Sequence, residues 1–184
     1  MSSPHPDIEK ILIPTDQIGA RVGALGREIS KDYQGKVVTL IGVLKGSIVF
    51  LSDLLRAITV DCSIDLMCLS SYEGDRSSGV VRMVLDLRES IEGKDVLVVE
   101  DIVDTGLTLA YLRDNLKTRK PRSLEICTLL DKTECRQIPL QAKYVGFKVP
   151  NQFLVGYGLD YNEQYRNLPY VGVLKEERLN GPRV

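Results

Sequence analysis

Hydrophobic positions recur along this chain with two alternating periods, and the alternation itself indicates the fold class. Ile18, Val22, Leu25 and Ile29 stand three and four apart behind Asp16, a single helical stripe with an N-cap in front of it. Residues 37–44 form a short apolar run suited to a strand. Behind Ser47, read as a second cap, Ile48, Leu51, Leu54 and Leu55 return to helical spacing. Residues 62–69 alternate as a strand does, 71–79 (SYEGDRSSG) are polar and glycine-bearing, and 80–87 read as a strand again. Residues 96–99 are continuously apolar and valine-rich, the mark of a strand covered on both faces. A helix is predicted over 105–116 and a strand over 124–130. Strands alternating with helices predict a right-handed, parallel α/β core. The stretch 144–174 is strand-like and aromatic. No repeat, low-complexity segment or linker interrupts the 184 residues, so one domain is expected.

Charge and residue counts narrow the chemistry. The 24 Lys+Arg balance 25 Asp+Glu, which offers no basic face for nucleic acid, so a polyphosphate ligand would need local donors and metal ions. The four cysteines, Cys62, Cys68, Cys127 and Cys135, form no CxxC pair and lie in or beside apolar segments. Reduced thiols and a cytosolic location are expected. The N-terminus lacks an apolar h-region and no apolar run approaches 18 residues, so neither secretion nor membrane insertion is expected. His5 is the only histidine, which leaves no histidine triad or multi-histidine metal site. Neither GxxxxGK[ST] nor GxGxxG occurs. Acid–base work falls to carboxylates, Lys or Tyr.

The segment 96–108, VLVVEDIVDTGLT, carries the most chemistry. Its strand ends in Glu100 and Asp101, and the turn of Asp104, Thr105, Gly106 and Thr108 runs into a helix. Ligands of open α/β sheets gather at such strand ends, and a helix N-terminus offers free N–H groups to an anion. Acids followed by donors imply a ligand with both hydroxyls and a phosphate. Plainer readings stand beside this one. Asp104 reads equally as a helix cap, Glu100 and Asp101 as a solvated strand end, and Lys45 as a surface lysine. Phe153 reads as a core aromatic, and Asp160 with Arg166 as a surface ion pair worth little.

The order acid-acid-x-x-Asp-Thr-Gly-x-Thr resembles the ribose 5-phosphate motif of phosphoribosyltransferases. LKGS at 44–47, SY at 71–72, DK at 131–132 and FLVGYGLDYNEQYR at 153–166 resemble, in order, the pieces of a hypoxanthine/guanine phosphoribosyltransferase, over about residues 11–176. The resemblance implies the type I phosphoribosyltransferase fold: a central parallel sheet flanked by helices, core about 20–143, with a small hood from the N-terminal segment and about 144–176. It implies transfer of a phosphoribosyl group from phosphoribosyl pyrophosphate to N9 of hypoxanthine or guanine, with Mg²⁺, in a cytoplasmic homodimer or homotetramer.

Residue by residue, the resemblance makes Asp104 the proton acceptor and gives the phosphate to Thr105, Gly106, Thr108 and the backbone of Leu107. Glu100 and Asp101 hold the ribose hydroxyls and, with Asp160, address the metal. Lys45, Gly46 and Arg166 take pyrophosphate, and a cis peptide joins Leu44 to Lys45. Lys132 reads O6 of the purine, Phe153 stacks on it, and Leu154 and Asp160 offer backbone groups to its pyrimidine edge. Ser71 and Tyr72 head a lid over 71–79. Leu107 replaces the polar or basic residue of some relatives, and Gln152 and Leu154 vary a position that shapes the base pocket, which leaves hypoxanthine versus guanine open. Two alternatives remain: an enzyme of the same fold with another base, and a regulator that senses phosphoribosyl pyrophosphate and binds RNA or DNA, which the charge balance disfavours.

Overall fold

The structure is a computed structural model that describes residues 4–71 and 81–179. In chain order the elements are β1 (Ile8–Ile13), α1 (Thr15–Asp32), β2 (Val38–Leu44), α2 (Ile48–Ala57), β3 (Cys62–Ser71), β4 (Val81–Leu85), β5 (Asp95–Val103), α3 (Leu107–Thr118), β6 (Ser123–Asp131), β7 (Tyr144–Lys148), β8 (Leu154–Val155), β9 (Val171–Leu174) and α4 (Glu176–Leu179). A six-stranded sheet runs β4-β3-β2-β5-β6-β7 and a three-stranded sheet runs β1-β9-β8.

Both faces of the large sheet are covered at its centre, which explains the unbroken apolar run of β5. Leu97 and Val99 face α1 and α2, packing with Leu25, Ile29, Phe50 and Leu54, while Val96 and Val98 face α3, packing with Leu109, Leu112 and Leu116. Alternate residues of a strand point to opposite faces, so a strand buried twice needs an apolar side chain at every position. The α1 stripe of Ile18, Val22, Leu25 and Ile29 is buried as its spacing predicts.

Several boundaries depart from the sequence reading. The core is not wholly parallel, because β4 pairs antiparallel with β3. A parallel return needs a crossover of a dozen or more residues, and the segment between these strands is shorter. The N-cap of α1 is Pro14 rather than Asp16, which lies in the first turn. Ser47 does occupy the N-cap of α2, yet its hydroxyl donates to the Val43 carbonyl at 2.6 Å instead of capping. The third helix starts at Leu107, not at 105, because Gly106 before it is left-handed at φ 85°. Of the stretch assigned to the hood, β7 joins the large sheet beside β6, and only β8 and β9 enter the small sheet, β9 pairing with β1 on one side and with β8 on the other. The small sheet also shares the main core through Ile13, Leu154, Val171 and Val173. All four cysteines are free thiols.

Candidate active site

Parallel register brings the chemistry together. Val103 of β5 pairs with Asp131 of β6, so the next residues, Asp104 and Lys132, leave their strands side by side. The Lys132 backbone N–H donates to the Val103 carbonyl at 3.0 Å. The Lys132 ammonium, 10% exposed, lies 3.1 Å from a carboxylate oxygen of the half-exposed Asp104. Gly106 occupies the N-cap of α3, which removes the plain reading of Asp104 as the cap. A cleft of about 160 Å³ opens here, lined by Glu100, Ile102, Val103, Asp104, Thr105, Gly106, Thr108 and Leu109. The first amides of α3 lack intrahelical partners and give that cleft an anion-binding end.

A second group forms at the end of β2. The Leu44–Lys45 peptide is cis, as the resemblance implies. A Cβ built on Gly46 would lie 1.7 Å from the Asp101 Oδ2, and one on Gly158 would lie 2.1 Å from the Gly46 carbonyl. The loop of Gly46 therefore passes between Asp101 and Gly158 with no room for side chains. Arg166 sits beside it, donating to the Gly158 carbonyl at 2.8 Å and pairing with Asp160 at 2.8 Å. Lys45, exposed, reaches Glu163 at 2.9 Å, and Arg166 reaches the same Glu163 at 3.3 Å. These two cations, with the Gly46 loop, are where a polyanion would enter. Glu163 holds them meanwhile, and its carboxyl is lowered by its bond to Lys45.

Glu100 and Asp101 form the third group. Burial, then the Asp101 charge, pushes the Glu100 carboxyl well above the usual carboxylate range. Burial also raises Asp101, against the Ile102 backbone N–H that donates to it at 2.9 Å. Glu100 Oε2 is buried without a partner. Two adjacent acids with an orphaned oxygen suit ribose hydroxyls or a hard divalent cation with oxygen ligands. Among the described residues no three His, Cys, Asp or Glu side chains converge on a metal position, so Asp160 does not complete a protein cage with this pair. Its carboxylate is engaged by Arg166 and by the Glu163 N–H at 2.9 Å.

The purine-facing candidates divide. Phe153 is 41% exposed, with Tyr161 edge-on at 5.3 Å between ring centroids, so it is a presented platform and not the core aromatic of the plain reading. Leu154 is buried in β8 and packs into the core, leaving only its backbone for a ligand. Thr108 and Leu107 are exposed in the first turn of α3, and the Thr105 hydroxyl accepts from the Leu107 N–H at 3.4 Å. Ser71 ends β3, while Tyr72 and the remainder of the expected lid lie outside the described residues. The sequence reading did not single out Glu163, although it lies inside the 153–166 stretch.

Comparison with known proteins agrees with this geometry. The model of the phosphoribosyl transferase domain matches residues 13–162. The chain is 51% identical over 174 residues to a hypoxanthine-guanine phosphoribosyltransferase of Staphylococcus aureus, covering 94% of this chain and 97% of that one. It is also 51% identical over 176 residues to the bifunctional protein TilS/HprT of Listeria monocytogenes, covering 95% of this chain but spanning only 27% of that protein. A crystal structure of a hypoxanthine phosphoribosyltransferase from Staphylococcus aureus superposes with a TM-score of 0.92 at 49% identity, over 96% of this chain and 97% of that one. With the strand-end acids, the glycine-led helix and the cis peptide all in place, the chain belongs to the phosphoribosyltransferase family, among its hypoxanthine-guanine members.

Proposed function

We propose that this protein transfers the 5-phosphoribosyl group of phosphoribosyl pyrophosphate to N9 of hypoxanthine or guanine, releasing pyrophosphate in purine salvage. The observation that carries the reading is the Asp104–Lys132 pair, a half-exposed carboxylate and a nearly buried ammonium at 3.1 Å beside the amino end of α3. Cleavage at C1 of the ribose leaves positive charge on the sugar and negative charge on pyrophosphate. The base must also lose a proton, and in this reading Asp104 accepts it from the imidazole ring. Lys132, all donors, pairs with a 6-oxo group and opposes a 6-amino group. Thr105, Gly106, Thr108 and the Leu107 amide receive the 5-phosphate, and Phe153 covers the base.

Lys45, Gly46 and Arg166 receive pyrophosphate once Glu163 yields its hold on the two cations. Glu100 and Asp101 bind the ribose hydroxyls and would hold Mg²⁺, with Asp160 contributing through water. When bound, Mg²⁺ neutralises charge on the leaving pyrophosphate. Ser71 and Tyr72 are proposed to close over the reacting centre.

A cytoplasmic homodimer or homotetramer accompanies this reading. Four free cysteines fit a reducing compartment, and among the described residues no helix is long and apolar enough to cross a membrane. The test is phosphoribosyl pyrophosphate-dependent release of pyrophosphate against a panel of bases. Turnover is expected with hypoxanthine or guanine and not with adenine, uracil or orotate. Release with another base alone, or tight ligand binding without release, overturns the reading.

A further inference from the structure

Residues 104–108 contain no cation, although a phosphate monoester carries close to two negative charges at neutral pH and a helix N-terminus supplies the equivalent of only about half a positive charge. Lys132 does not fill the gap, since its ammonium is paired with Asp104. The missing charge lies behind the loop. A Cβ built on Gly106 would lie 3.1 Å from both Cδ and Nη1 of Arg136, so the guanidinium rests against the left-handed glycine that opens α3. Arg136 lines a separate groove, with Asp131, Pro139 and Leu140, and is absent from the wall of the cleft.

The guanidinium is oriented. Its Nη2 pairs with Asp131, both side chains being 13% exposed, while Nη1 against Gly106 is buried without an acceptor. The pair is neutral overall, but its positive end is pressed on the phosphate loop in a setting of weak screening. The same segment braces the loop, because the Gln137 N–H donates to the Thr105 carbonyl at 3.0 Å. Asp131 is also the residue before Lys132, so one contact ties the phosphate loop to the residue that reads the base.

We propose that Arg136 is a positioning residue for the 5-phosphate. It sets the conformation of Gly106 from behind and strengthens the loop's attraction for a dianion without touching it. The inference rests on the proposed function only in taking the cleft for the 5-phosphate site.

The test compares IMP with inosine, which differ only in the phosphate, as ligands of the full-length protein and of Arg136→Met and Arg136→Lys. In Arg136→Met, IMP affinity is expected to fall about 10- to 100-fold, as loss of one close, poorly screened charge implies, with inosine changed less than about twofold. Arg136→Lys keeps the charge and is expected to recover most of the IMP preference. Should Arg136→Met not fold, the double variant Asp131→Asn with Arg136→Gln preserves a hydrogen-bonded pair without charge, and the same loss of IMP preference is expected. Parallel weakening of IMP and inosine, or an unchanged ratio, overturns the inference. A wild-type protein that does not prefer IMP to inosine overturns the reading of the cleft itself.

Discussion

Replacing Gly46 by alanine tests the packing of the reaction centre through one methyl group. The added Cβ would stand 1.7 Å from Asp101 Oδ2 and 2.6 Å from its Cγ, where real Cβ contacts essentially never fall below 3.0 Å. One of the two must therefore move by about 1.3 Å. The loop cannot retreat, because the Gly46 carbonyl already lies where a Cβ on Gly158 would be 2.1 Å away. The Asp101 carboxylate rotates instead, losing its bond from the Ile102 N–H and its place beside Glu100. A displacement of about 1 Å among positioning groups costs on the order of 10²-fold in rate. Because the obstacle is the end of a side chain, the fold survives. Gly46→Ala is expected to lose about 10²-fold in kcat/KM for phosphoribosyl pyrophosphate, with a thermal midpoint within a few degrees of wild type. Gly19→Ala is the control: Gly19 is exposed in α1 with nothing within 4 Å of its added Cβ, so stability should rise by about 0.5–1 kcal/mol with unchanged activity. Gly46→Ala activity within threefold of wild type would refute the argument.

Asp104→Asn preserves size but removes the proton acceptor, so turnover is expected to fall by about 10² to 10⁴ in a steady-state assay, with circular dichroism unchanged. Lys132→Ala is expected to raise the hypoxanthine KM and narrow the gap to adenine. Equal proportional losses for both bases would show that Lys132 does not select the 6-oxo group. Asp95 is 2% exposed and is held below the usual carboxylate range first by Arg122 and then, against desolvation, by Ser123 at 2.6 Å. A depressed folded-state pKa stabilises above the unfolded value near 3.8 and loses that contribution as pH falls through the folded value. Denaturant midpoints from pH 2 to 7 should therefore decline below about pH 4 in wild type. The decline should be shallower in Asp95→Asn, which is expected to be about 1–3 kcal/mol less stable at pH 7.

Much of the architecture was legible because it follows from local periodicity. The α1 stripe, the doubly buried β5 and the helix after Gly106 each come from side chains a few residues apart. Element ends were less legible. Pro14 rather than Asp16 occupies the N-cap position of α1, and the direction of β4 depends on the length of the segment before it. The short motifs named most of the proposed reaction centre for a similar reason: Glu100 through Thr108 are contiguous, and contiguity survives in a sequence.

What the sequence alone determined is thus the class of fold, the acids and donors of one strand end, and the family those motifs mark. Tertiary structure decided which of them meet. Asp104 and Lys132 lie 28 positions apart and touch through the register of β5 on β6. Lys45 and Glu163, 118 positions apart, meet through the fold of the chain around Gly46 and Gly158. Arg136 rests on Gly106 from a segment with no periodic pattern. Such contacts are energetic consequences of packing whole elements, in which burial and steric fit choose partners regardless of their distance along the chain. A sequence records what each residue can do, and only the packed sheet determines the charge it faces.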